Sequence, residues 1–177
     1  MSNKLKSVAG MTLIEILSTL VVIGILTSMA APRFETAFGN IRLRSANKDI
    51  VSSLRLARSK ALTDKRHYGV LMDAEHNTIT VFRDSANLAG YSLDLPDDSV
   101  IRVDTLPLEL SYIVTDVTNN VITFAPNGTA DFEGGSAGGA NIGTQGYVGQ
   151  NGRCYNIEVR RATGRVRWDA VACGDAG

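Results

Sequence analysis

Residues 11–31 read MTLIEILSTLVVIGILTSMAA, an apolar run with a single charge, Glu15. That is about the ~20 residues a helix needs to cross the hydrocarbon core of a bilayer. The ten residues ahead of it, MSNKLKSVAG, are polar and carry Lys4 and Lys6. Positive charge before a span keeps that end in the cytoplasm and sends the rest of the chain across. A secretory signal peptide has its small-residue cleavage site after the apolar run. Here the small pair Ala9-Gly10 comes before it, and Pro32, Arg33 and Glu35 follow directly.

A carboxylate a few residues inside an apolar span costs a few kcal/mol, so such groups are usually paired or functional. Glu15 is either tolerated near the membrane interface or neutralises a positive charge from a neighbouring subunit. A freshly cut amino terminus at Met11 supplies such a charge. Gly10-Met11-Thr12-Leu13-Ile14-Glu15 resembles the cleavage motif of type IV prepilins and type II secretion pseudopilins. The resemblance implies that prepilin peptidase cuts after Gly10, that Met11 is then N-methylated, and that Glu15 pairs with the Met11 amine of an adjacent subunit. Pro32 and Gly24 also fit that pattern, whereas Met11 stands where the family usually has Phe.

Beyond the apolar run the pattern predicts an amphipathic helix over 33–62. Phe34, Phe38, Ile41, Ile50, Leu54, Ala57 and Ala61 recur at helical spacing and form a stripe. Arg42, Arg44, Lys48, Arg55, Arg58 and Lys60 occupy much of the remainder, which reads as a solvated face. Gly39-Asn40 marks a point of weaker helical pattern. From Met11 to Leu62 one continuous helix extends roughly 75 Å.

Net charge supplies no further partner, because 18 basic residues balance 18 acidic ones. Loss of residues 1–10 removes Lys4 and Lys6 and leaves the chain slightly acidic. The two cysteines, Cys154 and Cys173, fit one disulfide in an oxidising compartment. Their spacing matches no zinc motif, and no metal or other cofactor is expected. His67 and His76 stand in no recognisable nucleophile or metal set, and Asp97-Asp98 reads as a turn, so the chain is not expected to be an enzyme.

Residues 63–177 read as an antiparallel β domain. Strands are predicted near 68–73, 78–83, 100–103, 110–115, 121–125, 154–161 and 165–170, with turns at Glu75-His76-Asn77 and Asn127-Gly128. The glycine-dense stretch from Glu133 to Gly152 lacks the ending of a phosphate loop and is expected to be a long flexible loop. In the final hairpin a two-residue turn at Thr163-Gly164 faces Ala162 with Arg165 and brings Cys154 opposite Cys173, within disulfide reach. That register sorts Tyr155, Ile157, Val159, Val166, Trp168 and Ala170 onto one face. Asn156, Glu158, Arg160, Arg165, Arg167 and Asp169 fall on the other.

Leu54 to Ala61 (LRLARSKA), Phe124 to Gly128 (FAPNG), and Ile157-Glu158-Val159 leading to Thr163-Gly164-Arg165-Val166-Arg167 resemble the GspH/FimT minor pseudopilin family. The resemblance implies an α+β, type IV pilin-like fold, a long N-terminal helix packed on antiparallel sheet. It implies four regions: a leader (1–10), a transmembrane half-helix (11–32), an amphipathic half-helix (33–62) and an extracytoplasmic β domain (63–177). It places the protein in the bacterial inner membrane, cytoplasmic at its N-terminus and periplasmic at its C-terminal domain, before it enters a fibre of other pilins. There it works near the tip of a type IV pilus or secretion pseudopilus and helps initiate assembly. Some members bind DNA for natural transformation through basic residues around a Gly-Arg-x-Arg hairpin. Gly164-Arg165-Val166-Arg167 matches it, with Arg160 and Arg161 close by, which makes DNA the alternative partner.

Overall fold

Thr12 opens the fold. Its carbonyl accepts hydrogen bonds from the Glu15 and Ile16 amides (3.1 and 3.3 Å), and its hydroxyl accepts from the Glu15 amide at 3.3 Å. A threonine N-cap satisfies amides that have no intrahelical partner. From there a single α-helix, α1, runs Leu13–Asp64. It begins two residues later and ends two residues later than the sequence pattern suggests. The computed structural model describes residues 11–85, 98–107, 110–114, 117–135, 138–146 and 154–171. Two compact units divide the chain after Phe38. The boundary coincides with Gly39-Asn40, where the helical pattern weakens.

In the first unit the described side chains of α1 stand exposed, among them Leu13, Leu20, Val21 and Leu26. No helix of the described residues is long and apolar enough to cross a membrane. The expected transmembrane half, 11–32, is helical from Leu13, and the side chains of residues 30–33 lie outside the described residues.

The second unit buries the other part of α1. Leu43, Ala46, Ile50, Leu54, Ala57 and Ala61 lie on one stripe at spacings of three and four, each no more than 4% exposed. Three of the six are alanine, which lets the sheets approach the helix backbone closely. The predicted stripe is right from Ile50 onward but wrong before it, since Phe34, Phe38 and Ile41 are exposed. Ile41 and Ile50 lie two and a half turns apart at ~3.6 residues per turn, and so on opposite faces. Leu43 and Ala46 continue the buried stripe instead.

Two antiparallel sheets complete this unit. The first comprises β1 (His67–Asp73), β2 (Thr78–Asp84), β3 (Ser99–Thr105), β5 (Val121–Phe124) and β6 (Ala130–Asp131), in the order β3-β2-β1-β5-β6. The second comprises β4 (Leu110–Val114), β7 (Gly139–Gly146), β8 (Cys154–Arg160) and β9 (Val166–Val171), in the order β4-β7-β8-β9. One apolar core joins the α1 stripe to both, through Val70, Met72 and Ile122 on one side and Ile142, Ile157 and Val159 on the other. Buried polar contacts set the helix in place. Asn47 donates to the Leu43 carbonyl (2.9 Å), and the Thr144 hydroxyl donates to Asn47 Oδ1 (2.6 Å). Ser53 donates to Asp104 Oδ2 on β3 at 3.0 Å.

Strand β7 corrects the reading of 133–152 as a flexible loop. Eight of those residues form a strand between β4 and β8, residues 142–146 pairing with the first and 139–145 with the second. Ala140, Ile142 and Thr144 are buried, an alternation diluted by Gly143 between them and by Gly139 and Gly146 at the strand's ends. Gly139 is there because the chain is crowded: a Cβ at that position meets the Val159 carbonyl oxygen at 2.6 Å.

Candidate functional site

Glu15 sits in the first turn of α1, three residues after its Thr12 cap. This spacing is that of a capping box, in which an acidic residue also complements the positive end of the helix dipole. The carboxylate is exposed, so it is presented outward rather than used inside the chain. Met11 precedes the cap and is 69% exposed, one helical turn from Glu15. Gly10 lies outside the described residues, as does the whole leader.

The hairpin β8–β9 carries the second set of candidate residues. Cys154 pairs across the sheet with Val171 rather than Cys173, and Val159 with Val166. The two-residue turn at Thr163-Gly164 is replaced by a longer loop, Arg161 to Gly164. Its ends are closed by the Arg160 amide donating to the Arg165 carbonyl (3.0 Å) and the Gly164 amide donating to the Arg160 carbonyl (2.8 Å). Gly164 has φ 59°, the left-handed conformation that closes such a turn. A register shift of two residues leaves every side chain on its expected face, because strands repeat every two. Tyr155, Ile157, Val159 and Val166 are accordingly buried, Trp168 packs against the core, and Ala170 alone of that set is exposed. Cys154 is 1% exposed and not free, whereas Cys173 falls outside the described residues.

The four candidate arginines part company. Arg160 pairs with Glu158 on its own strand at 2.9 Å. Arg161 is a structural bridge: it donates to Asp131 Oδ1 (2.8 Å) and to the Phe132 and Gly134 carbonyls (2.9 and 3.0 Å). Its guanidinium also lies 4.2 Å from the centre of the Phe132 ring, so it ties the hairpin loop to the end of the other sheet. Arg165 and Arg167 are exposed, and among the described residues neither has a carboxylate partner.

Arg165 does not stand alone. With Arg55, Arg58 and Leu62 of α1 it lines a cavity of about 440 Å³ floored by Gly164. A second cavity of about 400 Å³ shares Arg55 and Arg165 and continues along β9 past Arg167, Trp168 and Asp169. Arg58 Nε donates to the Gly128 carbonyl at 3.2 Å, which holds its side chain across the cleft. The helical arginines read from the sequence as a solvated face. The available signal was their spacing, since Arg55 and Arg58 flank the buried pair Leu54 and Ala57 and so border whatever the stripe packs against.

The other candidates are ordinary. His76 Nδ1 lies 2.6 Å from Asp73 Oδ2 in the first turn, and Asp98 accepts from the Ser85 amide at 3.0 Å. Among the described residues no group of three His, Cys, Asp or Glu is placed to hold a metal ion.

The family profile described as type II transport protein GspH matches residues 46–163. No curated protein is a match. Among solved structures, the type IV minor pilin FimU of Pseudomonas aeruginosa is similar at 16% identity and TM-score 0.49, covering 71% of this chain and 91% of that one. The minor pseudopilin EpsH of the Vibrio cholerae type 2 secretion system is similar at 14% identity and TM-score 0.45, covering 74% and 96%. A second EpsH structure gives 10% identity, TM-score 0.49, and coverage of 78% and 99%. With a profile match across most of its length and a long helix set against antiparallel sheet, the chain belongs to the GspH family and is a minor pilin or pseudopilin, a structural subunit rather than an enzyme.

Proposed function

We propose that this subunit is cut after Gly10 by prepilin peptidase, N-methylated at Met11, and drawn from the bacterial inner membrane into a fibre by residues 11–32. Its β domain then lies on the periplasmic side, and the subunit acts near the fibre tip, where it helps initiate assembly. The observation that carries the reading is the presentation of Glu15: a lone carboxylate in an apolar helix, exposed, one turn from Met11. In a membrane or fibre interior that carboxylate needs a cation, and the amine of a neighbour's Met11 is the one the cleavage creates. A disulfide between Cys154 and Cys173 locks the last hairpin in the oxidising periplasm. Mass spectrometry of the protein from a peptidase-competent host is expected to find a chain starting at methylated Met11. A mature chain that retains residues 1–10 sinks the proposal.

A second reading, DNA capture by the same subunit, is favoured by the exposure of Arg165 and Arg167 without described carboxylate partners. Arg160 and Arg161 are withdrawn from that role by Glu158 and Asp131. Arginine forks presented to solvent suit phosphates. The expected result is a mobility shift with the wild-type protein that Arg165→Ala with Arg167→Ala removes, and no shift at low salt ends the idea.

A further inference from the structure

We infer that Arg55 and Arg58 of α1 form the second wall of a nucleic-acid phosphate cleft whose first wall is the Arg165 and Arg167 hairpin. The inference rests on the DNA reading and extends it to residues that lie outside the hairpin motif. Three observations converge. First, the two cavities beside Arg165 are contiguous, since both are lined by Arg55, Arg165 and Val166. Second, their charge is one-sided: no carboxylate lines the first cavity, and only Asp169 lines the second. Like charges converging on one space repel one another, and an oxyanion placed among them removes that repulsion. Third, the cleft is built on rigid parts. Arg55 projects from a helix turn fixed by buried Leu54 and Ala57. Arg58 is held by the Gly128 carbonyl, and its Nε lies 3.0 Å from where a Cβ on Gly164 would stand. The glycine of the hairpin is thereby needed for the helix arginine as well as for its own turn.

A chain of phosphodiesters fits this arrangement better than a single small anion. Two adjoining cavities present arginines in series, and a guanidinium fork matches a phosphate bidentately where a lysine offers only a point charge. Trp168 lines the second cavity while packed on Tyr155, ring centres 5.3 Å apart, so an indole also borders the path a base would follow.

The test is fluorescence anisotropy of a labelled single-stranded oligonucleotide with the full-length protein in detergent, titrated over salt. Arg55→Gln and Arg58→Gln are each expected to weaken binding by about three- to tenfold at low salt and to reduce the salt slope by ~0.7 per lost phosphate contact. Arg44→Gln, an equal charge change on an exposed part of the same helix away from both cavities, is expected to leave the slope unchanged. Arg55 is exposed, so its variant also keeps the fold. If Arg165→Gln with Arg167→Gln loses binding while Arg55→Gln and Arg58→Gln behave like Arg44→Gln, the inference is overturned and the DNA reading stands. If the wild type binds no oligonucleotide at low salt, both fall. Polyglutamate competing as well as unlabelled oligonucleotide reassigns the cleft to an acidic protein partner and also overturns the inference.

Discussion

The two parts of α1 teach opposite lessons. Between Leu13 and Met29 the helix is predominantly apolar, with Glu15 its one charge, and its described side chains are exposed, including Leu13 at 78% and Leu26 at 62%. Between Leu43 and Ala61 it is amphipathic, with a narrow stripe sealed against two sheets. A helix apolar all round is stable only where its surroundings are apolar too. The described side chains of the first part are exposed, whereas those of the second part's stripe are packed in the core. The proposed function assigns assembly to the first part, whereas the buried stripe gives the second part its role in fold stability.

The contrast is sharpest in truncation. Leu54→Ala, at 0% exposure, is expected to destabilise the β domain by about 2–5 kcal/mol. Leu20→Ala, in the exposed part, is expected to change the same unfolding free energy, measured by chemical denaturation, by no more than about 0.5 kcal/mol. Equal costs at the two sites would erase the distinction. Next in size, Asn47→Ala leaves the Thr144 hydroxyl without its short acceptor in the buried interface and is expected to cost about 1–3 kcal/mol. Gly139→Ala belongs in the same range, because the new Cβ meets the Val159 carbonyl in a paired strand. If Gly139→Ala is neutral, β7 is not held as closely to β8 as described.

The smallest effect is electrostatic and confined to the β1–β2 turn. A hydrogen bond that its ring donates to the Asp73 carboxylate raises His76 above its ordinary value of 6.5. Amide and ring donation from His76 lowers Asp73 below 3.8. The raised histidine stabilises the fold at pH below about 6.5 and loses that contribution as pH rises through its folded value. The lowered aspartate stabilises it above about 3.8 and loses that contribution as pH falls. The turn is therefore tightest between those limits, and both groups are exposed, so screening keeps the effect slight. His76→Gln is expected to flatten a shallow stability rise between pH 8 and pH 5 while leaving the arginine cleft unaffected.

How far the sequence foretold this molecule depended on whether a signal was periodic or local. Helical and strand periodicity located α1 and most strands, because buried faces impose spacing on residues such as Ile50, Leu54 and Ala57. The same rule failed at Ile41, where a large apolar residue suggested a core face that the helical phase does not allow. It failed again at β7, since the side chains of Ala140, Ile142 and Thr144 carry little hydrophobic signal among glycines, and a central strand hides its pairing in the backbone. Face sorting in the last hairpin survived a wrong turn length because both registers share parity. The cysteine pairing inferred from that turn did not survive as direct opposition: Cys154 faces Val171. Of the arginines, the hairpin pair was legible as a motif. The contribution of Arg55 and Arg58 was not, because only the fold brings helix residues beside residues a hundred positions later.

The central claim is that the exposed first part of α1, through Glu15, joins this subunit to its neighbours. The direct measurement is the amount of protein recovered in purified fibres from cells carrying Glu15→Ala, normalised to total processed subunit. The account predicts a drop of about tenfold or more, since an unpaired amine in an apolar contact costs at least ~1.4 kcal/mol, with the β domain melting as in the wild type. Processed Glu15→Ala protein entering fibres at the wild-type level contradicts it.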